Sequence, residues 1–93
     1  MRFARNKKPE RLIERVLDLT TNEDDRVLDP FAGSGTTAAV AHKTGRRWLA
    51  IEATSALEEL CVPRLARVVA GEDPTGISRT RDWRGGGGFD VHA

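Results

Sequence analysis

The sequence predicts an α/β fold in which parallel strands alternate with helices. Three observations carry that expectation. A short apolar run, Val27-Leu28, leads directly into the turn Asp29-Pro30-Phe31-Ala32-Gly33-Ser34-Gly35-Thr36-Thr37. A helix-like run, Ala38-Ala39-Val40-Ala41, follows that turn and is closed by Gly45. A second strand-like run, Arg47-Trp48-Leu49-Ala50-Ile51, comes next and ends on Glu52. A strand–helix–strand unit of this length places its two strands in parallel with a right-handed crossover.

The elements follow in order. Residues 1–8 are basic and without periodicity, and they read as extended or loose. Pro9 suits a helix start, where its missing N–H removes no bond. Leu12, Ile13, Val16 and Leu17 form a helical stripe, so a helix is expected from Pro9 to about Leu19. Thr20 to Asp25 is polar and turn-like. Arg26-Val27-Leu28-Asp29 is too short to alternate, but a buried parallel strand reads as a plain apolar run. The next helix is expected from Ser34 or Thr36 to Lys43, with Gly45 just past its end. Ser55 to Ala70 is a further helical region with Leu57, Leu60, Cys61, Leu65, Val68 and Val69 as its apolar positions. Ser55 and Glu58 have capping-box spacing, and Pro63 should break or kink the helix near Cys61-Val62. From Gly71 the chain turns glycine- and arginine-rich, and Phe89-Asp90-Val91-His92 reads as a short terminal strand. Residues 1–70 thus form the α/β part and residues 71–93 a tail.

Composition narrows the class. Ninety-three residues make one small domain. A chain of this size buries only about 60–65% of its unfolded surface, so its stability is marginal. No apolar run approaches the roughly 20 residues that span a bilayer, and the basic start has no apolar core for a signal peptide, so a cytoplasmic location is expected. Cys61 is the single cysteine, which excludes an internal disulfide. His42 and His92 lack ligand-spaced partners, so no metal site is expected. The net charge of +1 makes no global case for nucleic-acid binding. Basic residues nevertheless crowd the N-terminus and the tail. In the tail, Arg79, Arg81, Trp83 and Arg84 can grip a phosphate backbone and stack on a base, or Trp83 can simply pack on the domain; the second reading is favoured.

The glycine turn is the candidate site. A turn between a strand and a helix aims free backbone N–H groups at a ligand, and Gly33 and Gly35 let that ligand approach the backbone. Gly33-x-Gly35-x-x-Ala38 formally fits the dinucleotide fingerprint. The charge argues against it, because Asp29 would stand beside a pyrophosphate. No lysine follows the glycines, so the phosphate-binding P-loop pattern fails as well. A ligand carrying an ammonium and a sulfonium suits Asp29 better, which points to S-adenosylmethionine. Glu52 lies 19 residues after Gly33, where a carboxylate can accept hydrogen bonds from both ribose hydroxyls; a solvated strand-end charge is the plainer alternative. Asp29 can also cap the turn's own N–H groups, which is compatible with a ligand contact. Phe31 can line the pocket or pack under the turn. Ser34 belongs to the same turn, and Thr36 and Thr37 can donate hydroxyls to a ligand carboxylate or serve only as early-helix residues.

The segment Asp29 to Thr37 resembles the cofactor-binding motif of the amino-methylating DNA methyltransferases, which act on adenine N6 or cytosine N4. Lys8-Pro9-Glu10-Arg11-Leu12 stands where beta-order members carry Lys-Pro-x-x-Leu. Gly76-Ile77-Ser78 and Asp82-Trp83-Arg84-Gly85-Gly86-Gly87-Gly88-Phe89 resemble the C-terminal end of modification subunits of type III restriction systems. The resemblance implies a partial Rossmann-like, S-adenosylmethionine-dependent methyltransferase fold with an incomplete sheet. It also implies a contact of Lys8 and Pro9 near the methionine end of the cofactor; an ordinary helix start is the alternative.

One departure limits the activity expected. The family's catalytic motif is Asp or Asn, Pro-Pro, then Tyr or Phe, and the sequence contains no such tetrapeptide. In the beta order that motif and the target-recognition region precede the cofactor motif, and only 28 residues do so here. The chain is therefore expected to be the cofactor-binding C-terminal part of a DNA amino-methyltransferase, adenine-N6 by its tail, without catalytic residues and without activity alone. DNA is the substrate of the intact enzyme. A separate N-terminal polypeptide or a second copy is the expected complement. A non-catalytic complementing module and, less well supported, a dinucleotide-binding fragment are the alternatives.

Overall fold

In the computed structural model, which describes residues 9–92, the first helix, α1, spans Glu10–Thr20. Pro9 stands just outside it in extended backbone, and its carbonyl accepts from Leu12 and Ile13. Strand β1 (Arg26–Asp29) follows, then α2 (Thr36–Lys43) and β2 (Arg47–Ala50). The two strands are parallel, with Val27 opposite Trp48 and Leu28 opposite Leu49. A π-helical turn, Leu57–Cys61, runs straight into α3, Val62–Ala70. Pro63 explains the join. It has no N–H for the ordinary helical bond, and the wider turn before it absorbs the mismatch. The predicted capping box is not formed. The Thr54 hydroxyl takes the Ala56 N–H instead, at 3.2 Å. No strand forms at 89–92.

Helix α2 is the hub. Ala38, Ala39, Val40 and Ala41 are buried on every side, because α1, α3 and both strands pack around them. Small side chains allow this close approach. Two linked clusters result. One joins Ala38 and Ala39 to Ala32, Cys61, Leu65 and Val68. The other joins Val40 and Ala41 to Leu17, Val27 and Ile77.

Two expectations about burial fail. The stripe on α1 is only half used, because Leu17 is buried while Leu12 and Val16 are exposed. The plain apolar reading of β1 is also wrong on one face. Val27 points into the core, but Leu28 and its neighbour Leu49 are 62% and 60% exposed. Among the described residues, layers cover one face of the sheet only, whereas parallel sheets are ordinarily covered on both.

Segment 71–92 packs against the helices. Ile77 is fully buried. The Trp83 indole N–H donates to the Val68 carbonyl at 2.7 Å, and its ring meets His42 edge-on. Arg81 reaches Glu14 at 2.6 Å and Asp18 at 3.2 Å on α1. Trp83 therefore takes the packing role of the two weighed above.

A buried ionic cluster ties these pieces together. Glu10 Oε1 accepts from Lys43 Nζ at 2.8 Å and from the Ile77 N–H at 3.1 Å. Glu10 Oε2 accepts from Arg64 Nη2. Lys43 also donates to Asp73 Oδ2 at 2.9 Å. Two acids thus face two bases, and the charges balance. Gly76 stands against the Glu10 carboxylate at φ +61, so any side chain there would be strained and would overlap that carboxylate.

Removing one partner from such a cluster leaves an uncompensated buried charge, which costs about 3–5 kcal/mol. A chain of this length has roughly 5–15 kcal/mol in all. Lys43→Met should therefore lower the urea midpoint severely or unfold the chain, as read by circular dichroism. Asp73 gives a second expectation. Burial raises its pKa, but hydrogen bonds from Lys43 and Thr75 and the Lys43 charge outweigh that and hold it at about 2, against 3.8 ordinarily. The folded-state pKa is depressed, so this contribution is complete above 3.8 and is lost as pH falls toward 2. Urea midpoints should drop across that window, and Asp73→Asn should flatten the drop.

Candidate cofactor site

The turn after β1 is held by its own backbone and by Glu52. The Ile51 N–H donates to the Asp29 carbonyl and the Ala32 N–H to the Ile51 carbonyl, at 2.8 and 3.0 Å. The Gly35 N–H closes onto the Ala32 carbonyl at 2.8 Å, and α2 starts there. Gly35 sits at φ +85, where glycine is favoured, and its absent Cβ leaves room for Cys61 Sγ. Cys61 is buried there. Burial pushes its thiol pKa up, so it is an inert packing group.

Asp29 accepts the Phe31 N–H at 3.1 Å, so it caps the turn as expected and remains half-buried. Glu52 reaches across 19 residues to accept the Gly33 N–H at 2.8 Å. Its second oxygen takes the Thr54 N–H at 3.0 Å and the Thr54 hydroxyl at 2.5 Å. The Thr54 hydroxyl first, then the Gly33 and Thr54 amides, lower the Glu52 pKa and keep it ionised. A carboxylate offers about four acceptor positions. Among the described residues three are in use, which leaves one, on Oε1.

The hydroxyls divide by depth. Thr36 is buried, and its Oγ1 accepts from Arg64 Nη1 at 2.8 Å. It lies 3.2 Å from the half-buried Ser34 Oγ. Thr37 is half-buried in the first turn of α2. Phe31 is 86% exposed, so it does not pack under the turn. Pro9 is exposed at the foot of α1, and Lys8 lies outside the described residues. The structure thus brings Asp29, Gly33, Ser34, Gly35, Thr36, Thr37 and Glu52 together at one turn.

Three polar groups at this site escaped sequence reasoning. Thr54 had a local signal, since it follows Glu52 at the two-residue spacing of a side-chain turn. Glu10 and Arg64 had none, because ionic residues amid helical sequence read as solvated. Beside the turn, a cavity of about 640 Å³ opens between β2 and segment 87–92, lined by Trp48, Ala50, Glu52, Leu57, Leu65 and Phe89. Among the described residues no group of three or more His, Cys, Asp or Glu is arranged to hold a metal. None of the described helices is long and apolar enough to cross a membrane.

A strand, a glycine turn pinned by an acid from the next strand, and a helix behind it define part of an S-adenosylmethionine-dependent methyltransferase fold with an incomplete sheet. The chain belongs to the N6/N4 methyltransferase family described as DNA methylase, whose family model matches residues 4–62. It is 52% identical over 87 residues to a probable type III restriction-modification enzyme Mod subunit, HindVI, of Haemophilus influenzae, covering 94% of this chain and 12% of that subunit. It is 47% identical over 58 residues to the DNA adenine methyltransferase YhdJ of Escherichia coli, covering 62% of this chain and 20% of that enzyme. Among solved structures it resembles the M1.HpyAVI–SAM complex with a TM-score of 0.61 and 34% identity, over 66% of this chain and 30% of that one. The chain therefore spans a minor part of each of these relatives.

The Glu52–Gly33 bond gives a direct test of the turn. In Glu52→Ala the Gly33 amide loses its acceptor, and its hydrogen exchange should rise about tenfold, the effect of one bond to a charged group. Amides in α3 should be unchanged.

Proposed function

We propose that this chain is the S-adenosylmethionine-binding portion of a DNA amino-methyltransferase acting on adenine N6. The carrying observation is the Glu52 carboxylate hydrogen-bonded to Gly33 across the turn, with Asp29 at the same turn. A cation-bearing nucleoside matches two carboxylates there, and a pyrophosphate does not. The free acceptor position on Glu52 Oε1 takes one ribose hydroxyl directly; a second requires Thr54 to yield. Asp29 and the turn face the methionine end, with Phe31 beside it. The Gly33, Ser34 and Gly35 backbone and the hydroxyls of Ser34 and Thr37 serve the cofactor carboxylate, with the buried Thr36 hydroxyl behind them, and the family resemblance assigns Lys8 and Pro9 to the same end. Adenine is favoured over cytosine by the likeness to the Escherichia coli DNA adenine methyltransferase. A DNA substrate goes with a cytoplasmic location.

When bound, the cofactor would supply a methyl group to a base amino group: the S–CH3 bond breaks, a neutral thioether leaves, and the amino nitrogen gives up one proton. Holding the two in line carries much of the rate. This chain contributes the cofactor's position and no group that holds the base, since no Asp/Asn-Pro-Pro-Tyr/Phe tetrapeptide is present. A complementing polypeptide or a second copy then provides the rest. The exposed sheet face at Leu28, Leu49 and Ile51 favours that reading, because such a face is an unfinished layer.

Calorimetric titration with S-adenosylmethionine tests the proposal. Saturable binding that Asp29→Ala weakens at least tenfold is the expected result. No binding by a chain that circular dichroism reports as folded would overturn it. With tritiated cofactor and mixed-sequence DNA the chain alone should transfer no methyl group. Added to a polypeptide carrying Asp-Pro-Pro-Tyr, it should yield N6-methyladenine and not N4-methylcytosine.

A further inference from the structure

We infer that Arg64 is a positioning residue for the cofactor carboxylate, acting through Thr36 to aim the Ser34 hydroxyl; this rests on the S-adenosylmethionine reading above. The argument follows hydrogen-bond polarity. A guanidinium donates and never accepts, so the 2.8 Å bond from Arg64 Nη1 makes Thr36 Oγ1 an acceptor. Thr36 still has its own proton to place. It is buried, and a buried hydroxyl donor needs an acceptor. Ser34 Oγ, 3.2 Å away, is its hydrogen-bonding neighbour and can accept that proton. Thr36 therefore donates to Ser34. The Ser34 proton is then left to point away from Thr36, out of the turn, from a half-buried side chain.

Glu10 holds the far end of this relay. Its Oε2 accepts from Arg64 Nη2, so the guanidinium is fixed by one carboxylate on one side and directed at Thr36 on the other. Arg64 is 5% exposed and Glu10 also 5%. The buried charge polarises the Thr36 and Ser34 hydroxyls in sequence. The result is a donor at Ser34 suited to an anionic oxygen. Arg64 itself touches no cofactor; lysine and arginine are not interchangeable here, because two donors of one plane serve two acceptors.

The test compares S-adenosylmethionine with its decarboxylated analogue by calorimetry. A residue that only supports the fold weakens both ligands equally. A residue that aims a donor at the carboxylate weakens the first alone. Ser34→Ala should cut the preference for the carboxylate-bearing ligand about tenfold, as expected for one hydrogen bond to a charged group. Thr36→Val should do the same, and Thr36→Ser should restore it. Arg64→Met should match them, and combined with Ser34→Ala should cost no more than either alone. Where Arg64→Met fails to fold, Thr36→Val breaks the same relay and leaves the Arg64–Glu10 pair in place. Equal weakening of both ligands by Thr36→Val, or an unchanged preference in Ser34→Ala, overturns the inference and leaves the cofactor reading standing. Failure of the folded wild-type chain to bind either ligand overturns that reading itself.

Discussion

The rest of the structure depends on one buried carboxylate, Glu10. It sits at the start of α1 and gathers Lys43 from the end of α2, Arg64 from α3 and the Ile77 amide from segment 71–92. Burying a charge this deeply is costly unless it is paired and fully hydrogen-bonded. Glu10 meets both conditions. Lys43 does so as well, since it also reaches Asp73 and the Thr75 carbonyl. The cluster adds direction to a core made mostly of alanine and valine, which by itself would tolerate several packings. Apolar contacts bring the helices together; the ion pairs allow one arrangement of them.

That arrangement reaches the turn. Arg64 links Glu10 to Thr36, the first residue of α2. Glu52 links Gly33 to the end of β2. The glycine turn is therefore braced from both sides, by a guanidinium behind its helix and a carboxylate across its mouth. For a ligand bound as proposed, the donors and acceptors are already oriented, which lowers the ordering cost of binding. The two braces also differ in depth. The Arg64 side is dry, while Glu52 stays half-exposed with one acceptor position to spare.

The sheet is the unfinished part. Two strands expose one apolar face, and Phe31 stands exposed beside it. In a parallel sheet such residues belong under a further layer. The chain covers 12% of its Haemophilus relative and 20% of its Escherichia coli one. The open face is what the proposed reading needs, a part that a complementing polypeptide or a second copy completes.

Much of this was legible in the residues. The order helix, strand, turn, helix, strand and kinked helix follows from local signals: Pro9, the paired glycines, Gly45 and Pro63. Those signals act within a few residues through backbone geometry, and so they survive without tertiary context. The turn and its acids at Asp29 and Glu52 were visible for the same reason. What the sequence by itself determined is therefore the list of elements and the identity of the turn. Only the tertiary structure decided that Glu10, Lys43, Arg64 and Asp73 are buried, that Leu12, Val16 and Leu28 are not, and that Trp83 and Ile77 close the helices from outside. A charged residue reveals no burial until its partner, dozens of positions away, is brought within bonding distance. An apolar one reveals none until the layer meant to cover it is present.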